Sequence, residues 1–146
     1  MNTRIVHLNG VDDLTWPNVT AVAWRGARLA LSDRALAKVD QGRQRFLSLI
    51  ERGVPCYGVT TGLGKLVGVE LDDRARYALA HNILLGRAAA IGPAHTREMA
   101  RATMVLKLAN FLSGRDGVTA ALCRYLVDAI NVLRSSEQMG NAAELL

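Results

Sequence analysis

Apolar and polar positions alternate at short range near the start of the chain and then settle into a helical period. Residues 4–8 alternate around Ile5 and Val6, which predicts a short strand. A short helix is expected over about residues 12–23, with Pro17 in its first turn, where a missing N–H breaks no bond. Residues 27–31 read as a second short strand. Ser32 fits a helix N-cap, and Asp33 follows in the first turn, where the helix dipole favours an anion. A long helix then runs to about residue 52, with Leu36, Val39, Phe46, Leu47, Leu49 and Ile50 as its buried stripe, and Gly53 and Pro55 stop it.

Residues 56–70 break the pattern. Gly58, Gly62, Gly64 and Gly68 stand among Thr60, Thr61 and small aliphatics, a composition that predicts a mobile loop exposing its backbone. Three more helices are expected, over about residues 72–89, 96–113 and 118–134. Asp72 and Asp73 open the first, Gly92-Pro93 breaks the chain after it, and Gly114 closes the second. In the third, Ala121, Leu122, Tyr125, Leu126, Ala129, Ile130 and Leu133 form the expected buried stripe. The period is lost from Ser135, so residues 1–134 read as one helical domain and 135–146 as an irregular, fraying tail.

Composition agrees with helices: half of the residues are hydrophobic, only 5% are aromatic, and alanine and leucine supply much of the apolar content. The chain has 146 residues, enough for one cored domain. Its net charge of +5 comes mostly from arginines, which are scattered rather than clustered, so nucleic-acid binding is not expected. Cys56 and Cys123 are far apart with no CxxC, which reads as reduced, buried thiols of a cytoplasmic protein. His7, His81 and His95 form no ligand pair, so no metal is expected. The N-terminus lacks the apolar run of a signal peptide, and no stretch is long enough for a membrane span.

The glycine-rich segment Tyr57-Gly58-Val59-Thr60-Thr61-Gly62-Leu63-Gly64-Lys65-Leu66 resembles the tyrosine loop of the histidine, phenylalanine and tyrosine ammonia-lyases. Leu79-Ala80-His81-Asn82-Ile83-Leu84, with Ala88-Ala89-Ala90-Ile91-Gly92 after it, is similar to that family's next helix. The run Arg101-Ala102-Thr103-Met104-Val105-Leu106-Lys107-Leu108-Ala109-Asn110-Phe111-Leu112-Ser113-Gly114 resembles the helix beyond. The blocks come in family order over about residues 54–132. The resemblance implies the helical N-terminal domain of a lyase-type bundle: a mainly α fold with one or two short N-terminal strands and a tyrosine loop at residues 54–70.

The resemblance also implies a chemistry, elimination of ammonia from an aromatic α-amino acid or a 2,3-amino shift. Tyr57 matches the family's catalytic tyrosine, which removes a weakly acidic proton from the β-carbon. A phenol titrates near ~10, so such a base needs cations or hydrogen bonds that favour its phenolate. Judged by residue type alone, Tyr57 is a half-buried tyrosine with its hydroxyl at the surface. Gly64 matches a position whose backbone lies against substrate, and simple turn permissiveness explains it equally well. Gly86 and Arg87 match the pair that meets the substrate side chain. Histidine lyases typically carry Ser-His there, tyrosine lyases a His first and phenylalanine lyases Phe-Leu, so Gly-Arg leaves the substrate open. Arg87 is suited to an acidic or phenolic substrate group, and equally to a salt bridge with a neighbouring subunit. Asn82 and Asn110 read as polar residues within helix packing.

The family's electrophile is a methylidene-imidazolone made from an internal Ala-Ser-Gly. No Ala-Ser-Gly occurs here, and the only Ser-Gly, Ser113-Gly114, is a helix C-cap. The expectation is an incomplete, truncated lyase, inactive alone, self-associating or poorly soluble because its apolar faces lack their partners, in a family that forms homotetramers. The alternative is a non-catalytic helical scaffold or interaction protein derived from that family.

Overall fold

The computed structural model describes residues 4–89 and 91–133. The expected tail at 135–146 lies outside the described residues. Among the described residues there are two strands and five α-helices: β1 (Ile5–Leu8), α1 (Trp16–Ala23), β2 (Arg28–Leu31), α2 (Asp33–Glu51), α3 (Asp73–Arg87), α4 (Arg97–Leu112) and α5 (Ala120–Val132). The mainly α expectation holds, and the described elements begin and end within a few residues of the predicted ones. Local capping explains that agreement. Ser32 Oγ accepts the Ala35 N–H at 3.2 Å, Asp72 that of Ala75 at 2.7 Å, Thr96 that of Met99 at 3.3 Å and Thr119 that of Leu122 at 3.2 Å. Pro17 sits in the first turn of α1. No helix among the described residues is long and apolar enough to cross a membrane.

The chain divides into two units, residues 1–45 with 95–146, and residues 46–94. In the first, β1 and β2 pair in parallel, with Val6 opposite Leu29 and Leu8 opposite Leu31. Parallel pairing needs a crossover, which α1 supplies. Leu8, Val22, Val39, Val105, Leu108, Leu112, Cys123 and Ile130 are fully buried in this unit's core. Each large aliphatic side chain so buried contributes about 1.5–3 kcal/mol.

Polar and glycine contacts tie this unit together. Asn131, on α5, caps the outer edge of β2: its Oδ1 accepts the Leu29 N–H at 2.8 Å and its Nδ2 donates to the Leu29 carbonyl at 2.9 Å. Arg101 is buried and donates from Nη2 to the Ala27 carbonyl at 3.0 Å. Gly42, mid-α2, lies directly against Gly114, so that a Cβ at 42 would strike the Gly114 carbonyl oxygen. Beside that crossing, Arg43 Nη1 donates to the Gly117 carbonyl at 2.8 Å.

Two predicted stripes need correction. In α5 the buried residues are Ala120, Cys123, Val127 and Ile130, whereas Leu122 and Tyr125 are exposed, the tyrosine by 71%. The helix is apolar on two sides, so its period alone did not say which side the core would take. In α2 the buried set is Ala35, Leu36, Val39 and Gly42, and Leu49 is exposed. Close approach to Gly114 turns the Gly42 face inward.

The second unit holds the last turns of α2, the glycine-rich segment and α3. No residue of α3 is buried, and its Tyr77 and Leu84 are 79% and 72% exposed. The glycine-rich segment is irregular but bonded to itself: Thr60 and Thr61 are buried, and Thr61 bridges antiparallel to Glu70.

Candidate functional site

Tyr57 stands at the start of a turn organised by Cys56. The Cys56 carbonyl accepts the N–H groups of Val59 at 3.0 Å, Thr60 at 2.9 Å and Thr61 at 3.3 Å. The Thr60 hydroxyl accepts the Cys56 N–H at 2.7 Å and closes the turn from the other side. The segment returns on itself through Gly62 N–H to the Val69 carbonyl at 3.1 Å and Leu71 N–H to the Thr60 carbonyl at 2.9 Å. These bonds satisfy the buried backbone around Thr60 and Thr61 and hold Tyr57 on a defined base. Cys56 and Thr60 are the clamp that residue types alone did not reveal. Their signal was a threonine four residues after a cysteine at the mouth of a glycine-rich run.

The tyrosine side chain is 62% exposed, and its hydroxyl oxygen accepts the Gly64 N–H at 3.0 Å. Tyr57 and Gly64, seven residues apart, are thus brought into one hydrogen bond. Gly64 has φ +57°, and a Cβ there would meet nothing within 4 Å. The requirement for glycine is therefore conformational: the left-handed backbone aims the N–H at the phenol. Gly62 differs, since a Cβ there would lie 2.6 Å from Leu66 Cβ and 2.7 Å from the Leu66 carbonyl oxygen. A tyrosine oxygen that accepts one N–H still has capacity to accept a second hydrogen bond. The arrangement presents a positioned phenol, one face solvent-accessible, beside a backbone bend.

Gly86 and Arg87 occupy the last turn of α3 and are exposed. Among the described residues, no hydrogen bond or ion pair joins either to Tyr57 or Gly64. Arg87 sits where a cation complements the helix dipole. Gly86 has open space around its missing Cβ, so the fold does not require glycine there. His7, His81 and His95 are exposed, and no group of three potential metal ligands occurs among the described residues. Asn82 and Asn110 are exposed rather than packed inside. Asn131 does pack inside, and its partner lies far away in sequence and leaves no local sign.

Among the described residues, two titrating groups depart from their ordinary behaviour, both in the first unit. Burial pushes the Cys123 thiol up, with the Asp40 carboxylate adding to it and Arg124 opposing. Glu98 is lowered by a backbone hydrogen bond at the start of α4, then by the Thr96 hydroxyl.

Residues 14–133 match the family model described as aromatic amino acid lyase. The histidine ammonia-lyase of Streptomyces coelicolor is 37% identical over 131 residues, which cover 90% of this chain and 25% of that protein. That of Treponema denticola is 33% identical over 131 residues, covering 90% and 26%. Among solved structures, the ergothionase of Treponema denticola, in complex with desmethyl-ergothioneine sulfonic acid, superposes with a TM-score of 0.77 at 27% identity, covering 89% of this chain and 26% of that one. Tyrosine aminomutase from Streptomyces globisporus gives a TM-score of 0.75 at 26% identity, covering 88% and 24%. The chain spans about a quarter of the length of the curated relatives it matches. It belongs to the aromatic amino acid lyase family and corresponds to an N-terminal part of the lyases and aminomutases of that family.

Proposed function

We propose that this chain supplies the base-bearing part of an active site that eliminates ammonia from an aromatic α-amino acid, or shifts its amino group from C2 to C3. The observation that carries the reading is the Tyr57 hydroxyl held by the Gly64 N–H on a clamped, glycine-rich turn. In this reading Tyr57 takes the β-proton of the substrate, and the Gly64 hydrogen bond orients the phenol oxygen toward it. The backbone at Gly64 lies against the substrate, and Gly86 and Arg87 meet its side chain. The exposed position of Tyr57 suits a loop that completes its enclosure only with substrate and neighbouring segments in place.

The electrophile of this chemistry, a methylidene-imidazolone, requires an Ala-Ser-Gly that the sequence lacks, so these residues do not build it. The chain alone is accordingly proposed to form no product, and to work as part of a homo-oligomer, a tetramer in its full-length relatives. Two free cysteines suit a reducing cytoplasm.

The test replaces the matching segment of the Streptomyces coelicolor relative with residues 14–133. The chimera is expected to release a conjugated acid, read by its ultraviolet absorbance, and Tyr57→Phe is expected to lower kcat by about 10²–10⁴-fold. Full activity in the Phe variant removes Tyr57 from the base role. Product formation by the 146-residue chain alone overturns the incompleteness.

A second reading, a scaffold that binds a full-length partner or copies of itself, is favoured by the exposed apolar residues Tyr77, Leu84 and Leu85 on α3. It predicts that Tyr57→Phe leaves binding to that partner unchanged.

A further inference from the structure

The solvent face of α2 carries a feature that the lyase reading does not use. Arg34, Lys38, Gln41 and Arg45 fall within an arc of about 60° at 100° per residue, so three cations and one amide share a stripe. Asp33, Asp40 and Glu51 lie off that arc, so the helix's own carboxylates do not neutralise it. The stripe faces the turn at Ser113 and Gly114, and together they line a cleft of about 380 Å³ within the first unit. Among the described residues, no carboxylate forms an ion pair with Arg34, Lys38 or Arg45. The acid nearest in sequence on the facing turn, Asp116, lies 3.8 Å from Lys107 instead. Ser113 Oγ already accepts the Arg115 N–H at 3.2 Å, which leaves its hydroxyl proton available to donate.

We propose that this cleft is a binding site for a tetrahedral dianion of the phosphate type, free or as a phosphomonoester. Two guanidinium groups and an ammonium supply the charge, and the Gln41 amide and Ser113 hydroxyl supply neutral donors. That donor set exceeds what one carboxylate can use, and guanidinium forks match the spacing of phosphate oxygens. The close Gly42–Gly114 approach sets the cleft's depth, because it brings the Ser113 turn against α2 without a side chain between them.

The test is phosphorus NMR titration of the 146-residue chain with inorganic phosphate and, separately, with glycerol phosphate, ionic strength being held with sodium chloride. Saturable millimolar binding is expected, weakened at least about tenfold in Lys38→Gln and in Arg45→Gln. All the substituted side chains are exposed, so the variants are expected to keep the wild-type circular dichroism spectrum. Arg25→Gln, outside the cleft and also exposed, is expected to bind as wild type. Preference for one titrant tells the free ion from the ester. Lack of saturation overturns the site, and so does equal binding by the Lys38 and Arg45 variants. Tighter, steeply salt-dependent binding of duplex DNA through the same residues overturns the small-anion reading.

Discussion

Gly42→Ala separates two opposing effects at one position. Within a helix, alanine is favoured over glycine by about 0.8–1 kcal/mol, because glycine loses more backbone freedom on folding. At Gly42 that gain meets a wall, for the new Cβ would strike the Gly114 carbonyl oxygen. Gly114 has little room to yield, since its own Cα faces the Lys38 carbonyl, which would lie 2.9 Å from a Cβ built there. Relief requires α2 to move away, which stretches the 2.8 Å bond from Arg43 to the Gly117 carbonyl. Overpacking costs about 1–3 kcal/mol and a charged hydrogen bond contributes about 1.5–3 kcal/mol. Even with the bond only weakened, the net effect is destabilisation of about 1–3 kcal/mol. Urea unfolding followed by circular dichroism reads this as a lower midpoint at constant slope. Gly86→Ala is the contrast: it too is helical, but its Cβ enters open space, so stabilisation by roughly 0.5 kcal/mol is expected. If Gly42→Ala stabilises the protein as much as Gly86→Ala does, the tight crossing of α2 over Gly114 is refuted.

Asn131→Ala deprives the Leu29 N–H and carbonyl of both partners and is expected to cost about 2–3 kcal/mol in the same assay. A loss below about 0.5 kcal/mol shows that water replaces the side chain there. The two thiols are expected to differ in accessibility: an aromatic disulfide reagent labels half-buried Cys56 in the native protein and Cys123 only after unfolding. Because burial keeps the Cys123 thiol neutral to higher pH in the folded state, its contribution to stability is complete below the ordinary thiol range and is lost as pH rises through the folded value. Cys123→Ala is expected to remove that alkaline loss from a stability–pH curve. Glu98 works the other way: its lowered value makes its contribution present above the ordinary carboxylate range and lost as pH falls through the folded value, a slope Glu98→Gln is expected to flatten.

Much of the fold was legible along the chain because its boundaries are local events. Ser32, Asp72, Thr96 and Thr119 each cap the turn that follows them, and Gly114 ends α4 with a positive φ. The inward side of α5 was not legible, because Leu122 and Tyr125 are as apolar as the residues that are buried. Contacts across long separations were equally hidden: Asn131 with Leu29, Gly42 with Gly114, and Arg101 with Ala27. At the candidate site, Tyr57 and Gly64 stood out through the spacing of the glycine-rich loop. Their hydrogen bond did not, because it depends on a backbone angle that a residue name leaves free. Nor was it legible that three N–H groups of the loop converge on the Cys56 carbonyl.

The Asn131 side chain has a further effect at the rim of the small sheet. A free strand edge is a template on which another chain can lay a strand, and short parallel pairs have few other defences. Here an amide occupies both the donor and the acceptor of Leu29, midway along β2. An incoming strand would have to displace it before gaining its first rungs. One asparagine thereby guards this rim against cross-chain strand growth, and its removal is expected to raise aggregation on heating by more than lost stability alone accounts for.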